Sequence, residues 1–343
     1  MDSERSPLLD SKPAQNIMSE TSAESFATAL TAQKSGSDDS IKLPQAIAHR
    51  GYSANFPENT LTAFTAAVEV GAHAIETDIR LSKDNVVVLS HDFSLKRCFG
   101  VSKTLAQCDW DYLSTLETLA APKQHMPRLT DLLSYLAQPG NESVWLLLDI
   151  KRDDDPDLLL SQTVAAIASV APPSTKPWRE RIVLGAWSSS VIDKCRAHLP
   201  GFNVALIGVY LPEANRLLRE ESDVWFNMLL LTLLGSSGSR FIEEARRRKR
   251  NLFVWTVNKE GWMHWCIRKG VDGVITDDPK KFLAVCEEWK DGGGVRSTSV
   301  GMKAKTVLLR LMIVPFRPLF WYMHWSRRRQ IEKMSRKEAP SKA

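Results

Sequence analysis

No two of the five cysteines, Cys98, Cys108, Cys195, Cys266 and Cys286, stand in a CxxC pair. Neither a zinc ribbon nor a disulfide framework is therefore indicated, and a reducing compartment is expected. The opening residues, MDSERSPLLD, lack the basic end and apolar run of a secretory signal, so no cleaved leader is expected. An excess of one charge is missing too: the formal net charge is +5, with much of it near the C-terminal end, which gives little support to nucleic-acid binding. Large apolar residues are scarce in 1–40, a stretch rich in Ser, Thr, Ala and Asp that reads as a disordered arm. Within it Glu4, Leu8 and Leu9 have the spacing of an acidic dileucine sorting signal, a pattern short enough to arise by chance.

What is present suits a sizeable core. Hydrophobic residues make up 43% of the 343, enough for one α/β barrel of about 250 residues with tails at both ends. From Pro44 onward short apolar runs alternate with helix-like stretches such as 60–70 and 241–250, the pattern of a parallel sheet with crossover helices. The strand candidates are 45–49, 73–79, 144–150, 181–186, 203–209, 226–232, 251–257 and 272–276. They predict a (β/α)8 TIM barrel. One more strand, 86–90, follows the second after Ser82 to Asn85, too few residues for a parallel crossover. It must fold back as a hairpin, returning His91 to the barrel mouth, and the stretch from Phe93 to about Asn141 is an insertion after it.

Active sites of this fold lie where strands end and helices begin. The first strand ends in His49-Arg50-Gly51, followed by Pro57-Glu58-Asn59-Thr60 at a helix entrance. A lone His at a strand end is more often structural, but the neighbouring strands change the balance. Glu76 and Asp78 lie two apart in the second strand, so both face one side. The third strand is apolar until Asp149 and Lys151, again two apart. A structural salt bridge is the plain reading of that pair. Three carboxylates on adjacent strands also make a site for a hard divalent cation, Mg²⁺ or Ca²⁺, with Arg50 and Lys151 adding positive charge for a phosphate.

Taken in order, these motifs with His91-Asp92, Trp255-Thr256-Val257-Asn258 and Ile275-Thr276-Asp277-Asp278-Pro279 resemble the glycerophosphodiester phosphodiesterase family over 45 to about 280. The resemblance implies that His49 and His91 are an acid/base pair, that Glu76 and Asp78 hold the metal, and that Arg50 and Lys151 lie near the phosphate. The third ligand is usually Glu; here Asp149 is one methylene shorter. The run Leu-Asp-Ile-Lys, with Lys259 after Asn258, is most similar to the fungal phosphatidylglycerol phospholipase C branch, which releases diacylglycerol and glycerol phosphate. That branch implies an intracellular, membrane-associated protein of the mitochondrion, lipid droplet or endoplasmic reticulum surface. The alternatives are a phosphodiesterase acting on soluble deacylated lipid and a non-catalytic lipid-binding or tethering protein; the two histidines and two carboxylates argue against the second.

Other conspicuous residues have plain readings. Trp262 and Trp265 suit helix packing, and His73, His125, His198 and His264 show no partner in sequence. Trp255 suits the core or the mouth, Asn258 a turn or the substrate, and Asp277-Asp278-Pro279 a helix cap.

The barrel domain is expected over 41–290, with 291–305 a linker that opens on Asp291 and three glycines, and 306–343 an apolar and basic tail. Its run 306–325 is long enough to span a bilayer but carries Arg310 and Arg317. Two mid-segment arginines cost roughly 5 to 7 kcal/mol, whereas its Leu, Ile, Val and Phe residues return about 3 to 5. A bent or interfacial helix is the better expectation, with Trp321, Tyr322 and Trp325 at headgroup level and Arg327, Arg328, Arg329, Lys333, Arg336 and Lys337 on anionic lipid. The expected partners are phosphatidylglycerol or a related glycerophospholipid and an anionic membrane surface. No protein partner is indicated.

Overall fold

The computed structural model describes residues 26–173 and 176–293. Residues 1–25 with the dileucine pattern, most of the linker, and the tail 306–343 lie outside these. Among the described residues no helix is long and apolar enough to cross a membrane.

The chain begins with an antiparallel hairpin, β1 (Leu30–Gln33) and β2 (Ser40–Leu43). The barrel follows. Its strands are β3 (Gln45–His49), β4 (Ala74–Leu81), β6 (Trp145–Ile150), β7 (Ile182–Ala186), β8 (Asn203–Gly208), β9 (Trp225–Leu229), β10 (Leu252–Trp255) and β11 (Gly273–Thr276), all parallel and closed by pairing of β3 with both β4 and β11. β5 (Val87–Leu89) runs antiparallel to β4, as the short connection requires. The helices are α1 (Leu61–Glu69), α2 (Lys96–Phe99), α3 (Trp110–Leu113), α4 (Leu129–Leu136), α5 (Pro156–Ser169), α6 (Ser189–His198), α7 (Leu211–Glu220), α8 (Leu230–Leu233), α9 (Ser236–Arg247), α10 (Glu260–Lys269) and α11 (Pro279–Lys290). This is a (β/α)8 barrel. The insertion after β5 carries α2 and α3 over a small core of its own, built on Leu95, Leu105, Leu113 and Met126.

The two-residue period of each strand separates two apolar regions. Outward residues such as Leu146, Leu148 and Ile150 pack under the helices. Inward residues such as Ile47, Ala74, Trp145, Leu147 and Phe253 fill the barrel. Three inward files then change character toward the mouth: Ile47 gives way to His49, Ala74 to Glu76 and Asp78, and Trp145-Leu147 to Asp149 and Lys151. The files thus carry polar groups upward on an apolar base.

Two expectations are corrected. Residues 26–40 are not part of a disordered arm: Phe26 is inserted at the barrel floor, with its ring 5.7 Å from Trp145 and 5.8 Å from Trp225, and the hairpin follows. The cause is a single aromatic residue, which a composition average does not weigh. The strand expected over 226–232 ends at Leu229, and the leucines beyond it form α8. Leu is among the better helix formers, so a Leu-rich run does not favour strand continuation.

Candidate active site

Strand register brings the polar residues together. His49 is paired with Glu76 across β3 and β4, and Asp78 with Asp149 across β4 and β6. The chain leaves β3 through a tight bend in which Arg50 takes φ 59° and Gly51 φ 82°. A Cβ on Gly51 would meet the Ala63 backbone at 2.7 Å, so α1 can approach the strand end only over glycine. The Arg50 N–H donates to the Glu76 carboxylate at 3.0 Å, and Asn59, also left-handed at φ 55°, donates its side-chain amide to Asp78 at 2.8 Å. Thr60 caps α1 by accepting from the Ala63 N–H.

Glu76, Asp78 and Asp149 are all buried, and one carboxylate oxygen from each lies within 4.8 Å of the other two. The Lys151 ammonium stands 2.5 Å from both Asp78 and Asp149, and Arg50 Nε is 3.4 Å from Asp78. The Trp187 indole N–H donates to the other Asp149 oxygen at 2.7 Å. Despite burial, Lys151 and Arg50 hold the Asp78 carboxyl below its ordinary range. Burial, together with the charge of Asp78, pushes Glu76 up to about 7. Burial also raises Asp149, against the pull of Lys151. The two cations present leave one carboxylate too many to ionise comfortably. This donor set, all oxygen and short of positive charge, fits a hard divalent cation.

The two histidines line the same pocket as this cluster. His49 Nδ1 lies 2.5 Å from Asp277, and its Nε2 lies 4.0 Å from Glu76. Burial disfavours its cation, but the Asp277 hydrogen bond and Glu76 outweigh that and hold its pKa above 6.5. His91 Nδ1 lies 2.8 Å from Asp92, which Arg97 grips at 2.5 Å while also pairing with Glu58 at 2.7 Å. Burial lowers the His91 pKa, and nearby Lys151 and Arg50 add to this against the opposing pull of Asp78. The environments therefore push the two imidazoles apart.

All seven residues singled out in the sequence, His49, Arg50, Glu76, Asp78, His91, Asp149 and Lys151, line one pocket of about 70 Å³. Its other wall is Trp187, Ile207, Asn227, Trp255 and Ile275. Trp187 and Trp255 meet edge to face at 5.8 Å, and Asn227 Oδ1 is buried with no hydrogen-bond partner among the described residues. Trp187 and Asn227 escaped the sequence reading; the first directly follows a barrel strand, which was the available signal. Asp277, read as a possible cap, instead orients His49, while Asp278 caps α11. Asn258 is committed to the turn, accepting from Thr276 and the Asp277 N–H. His73 has a partner after all, accepting from the Ala46 N–H at 2.9 Å.

The family model for the glycerophosphoryl diester phosphodiesterase family matches residues 49–281. The chain belongs to this family. It is thus a phosphoric diester hydrolase by kinship, with an acidic cluster of the kind these generally metal-dependent enzymes carry. Similar curated proteins include a glycerophosphodiester phosphodiesterase of Caldanaerobacter subterraneus, 26% identical over 69% of this chain and 95% of that protein. A probable glycerophosphodiester phosphodiesterase 2 of Mycobacterium tuberculosis is 28% identical over 68% of this chain and 86% of its own. Among solved structures, an Oleispira antarctica phosphodiesterase in complex with the product sn-glycerol-3-phosphate has a TM-score of 0.63 at 20% identity, covering 71% of this chain and 97% of that one. At that identity the likeness speaks for the fold.

Proposed function

We propose that this family member is a phospholipase C acting on phosphatidylglycerol, yielding diacylglycerol and glycerol phosphate at an intracellular anionic membrane. The observation that carries the catalytic part is the placing of His49 and His91 in one pocket with the acidic cluster, each tied by Nδ1 to a carboxylate and pushed in opposite pKa directions. Groups split in this way divide into acid and base. His49, favoured as imidazolium, gives a proton to the departing diacylglycerol oxygen, and His91, favoured neutral, takes one from the attacking hydroxyl. Asp277 and Asp92 keep each ring in the tautomer that presents Nε2.

Glu76, Asp78 and Asp149 would hold Mg²⁺ or Ca²⁺, which when bound supplies electrophilic polarisation of a phosphoryl oxygen. Arg50 and Lys151 offset the charge gained in the transition state. The glycerol headgroup carries a hydroxyl next to its phosphoester. Its oxygen attacks phosphorus, the bond to the diacylglycerol oxygen breaks, and a cyclic glycerol phosphate forms and then opens with water. Such internal attack gains from proximity.

The lipid part of the reading is supported by the Leu148-Asp149-Ile150-Lys151 run and by the apolar and basic tail 306–343, which a phosphodiesterase for soluble deacylated lipid does not need. The test is product analysis with purified full-length protein in ¹⁸O-labelled water. Phosphatidylglycerol should give diacylglycerol and glycerol phosphate by way of a cyclic species, and phosphatidylcholine should be a poor substrate. Comparable cleavage of phosphatidylcholine would sink headgroup attack, and turnover confined to deacylated diesters would return the soluble-substrate alternative.

A further inference from the structure

The pocket at the reactive groups has room for a headgroup but not for acyl chains, so a lipid must be presented to the mouth from outside. Beside it, an open groove of about 720 Å³ shares His91 and runs along Phe93, Ser94 and Lys96 at the start of the insertion, its two acids, Asp92 and Asp153, being paired with Arg97 and Arg80. Phe93 and Leu119 are each 57% exposed and Tyr112 is 38% exposed. None of the three belongs to the insertion's own core. The backbone brings them into one crown: Phe93 accepts from the Leu105 N–H at 2.9 Å, and Leu119 donates to Cys98 at the end of α2 at 2.7 Å. Of the eight large apolar side chains exposed among the described residues, Leu30 belongs to the floor hairpin, three sit in this insertion, Val209 and Tyr210 lie between β8 and α7, and Leu61 and Leu158 are in the first turns of α1 and α5.

Cations are interleaved with them. Lys96 lines the groove, Lys103 lies over the Tyr112 ring at 4.5 Å, and Lys123 donates to the Leu119 carbonyl at 2.9 Å. Two of the segment's three acids are drawn elsewhere, Asp109 to Lys83 at 3.1 Å and Glu117 toward His125 at 4.0 Å. Over 93–128 the count is five Lys and Arg against three Asp and Glu. Exposed aromatic and aliphatic side chains set among lysines are the composition of a surface that settles at the headgroup level of anionic lipid.

We propose that the insertion 93–128 is the edge by which the catalytic face docks on an anionic bilayer, a proposal that rests on the lipid-substrate reading above. Phe93 and Leu119 enter between headgroups, and Lys96, Lys103 and Lys123 take lipid phosphates. The groove at His91 then faces the lipid backbone. The described residues end at the opposite face: the Lys290 carbonyl at the end of α11 accepts from the Ser35 N–H in the floor hairpin.

The experiment is lysine acetylation of the full-length protein with and without vesicles of phosphatidylserine and phosphatidylcholine, read by mass spectrometry. Lys96, Lys103 and Lys123 should acetylate about threefold more slowly or less on vesicles. Lys42 in the floor hairpin and Lys249 before β10 should be unchanged. Equal labelling of all five, protection at Lys42 and Lys249 instead, or no vesicle binding would overturn the proposal. Because these vesicles contain no phosphatidylglycerol, docking is read whether or not that lipid is cleaved; a footprint at the mouth in a protein that cleaves no lipid would retain the surface and remove the substrate reading. In a second arm, Leu119→Ser should lower the ratio of vesicle to dispersed short-chain phosphatidylglycerol turnover about fivefold. An unchanged ratio would count against Leu119 as an inserting residue.

Discussion

The floor and the mouth of this barrel both bury polar groups, and they treat them differently. At the floor each has its partners. Arg181, 1% exposed, donates to the carbonyls of Leu136, Asn141 and Val144; Gln45 donates to those of Phe26 and Thr28 and accepts from Trp145; Asp272 accepts from the N–H groups of Ala29 and Leu252. At the mouth three carboxylates crowd together, Arg50 Nε lies near Asp78 without a hydrogen bond, and Asn227 Oδ1 has no partner among the described residues. Groups buried and fully bonded hold a fold, whereas groups buried and left short are set for something not yet bound. In this fold the catalytic end and the stability end are expected to be opposite faces.

The sharpest way to break the comparison is to exchange effects between the two ends. His91→Ala and His49→Ala should each lower turnover by about 10² or more, the scale of a lost acid or base, with little change in melting temperature. Near-normal turnover by either folded variant would remove that residue from the mechanism. Arg181→Ala at the floor should do the reverse, costing roughly 3 to 5 kcal/mol in chemical denaturation because several buried carbonyls lose their donor, while the folded fraction keeps its turnover. A mild stability loss there would mean that water replaces the guanidinium.

The mouth was largely legible in the sequence, because strand periodicity is a local rule. Once β3, β4 and β6 were placed, residues at i and i+2 had to share a face, and His49, Glu76, Asp78, Asp149 and Lys151 followed. The hairpin followed as well, since four residues cannot carry a crossover. Illegible were contacts between neighbouring strands made by residues distant in sequence or beyond the strand ends. Asp277 reaches His49 from the far end of the chain, and Trp187 finds Asp149 from the next strand. Phe26 at the floor was hidden for the same reason, a single ring in a polar stretch. Charge balance was hidden too: nothing in the spacing tells that Lys151 bridges Asp78 and Asp149 while Glu76 has no Lys or Arg ion pair and its carboxyl is pushed up by burial.

That imbalance gives a smaller, pH-dependent test. The folded pKa of Glu76, about 7, lies above its ordinary 4.5, so the folded state holds the proton more tightly. Metal-free protein should therefore lose stability as pH rises from about 4.5 through 7. Glu76→Gln removes that loss and should stabilise the metal-free protein at pH 8 on the order of 2 kcal/mol, with no gain at pH 4. Added Mg²⁺ should stabilise the wild type but not the variant. A variant less stable than wild type at pH 8 without metal would show that Glu76 is held by contacts rather than strained by charge. The smallest effect belongs to Trp187→Phe, which removes the indole donor from Asp149. It should weaken cation binding about tenfold and leave the fold unchanged. Unaltered binding would make Trp187 a wall of the pocket and no more.

The most direct measurement is a titration of Mg²⁺ or Ca²⁺ into thoroughly metal-stripped full-length protein, recording occupancy by calorimetry and phosphatidylglycerol turnover on the same samples. Turnover should start near zero and rise in proportion to the first bound ion, and Asp78→Asn should shift both curves together toward higher cation concentration. Full turnover by the stripped protein, or a bound ion whose occupancy turnover does not follow, would contradict a cation held at Glu76, Asp78 and Asp149 as part of the catalytic site.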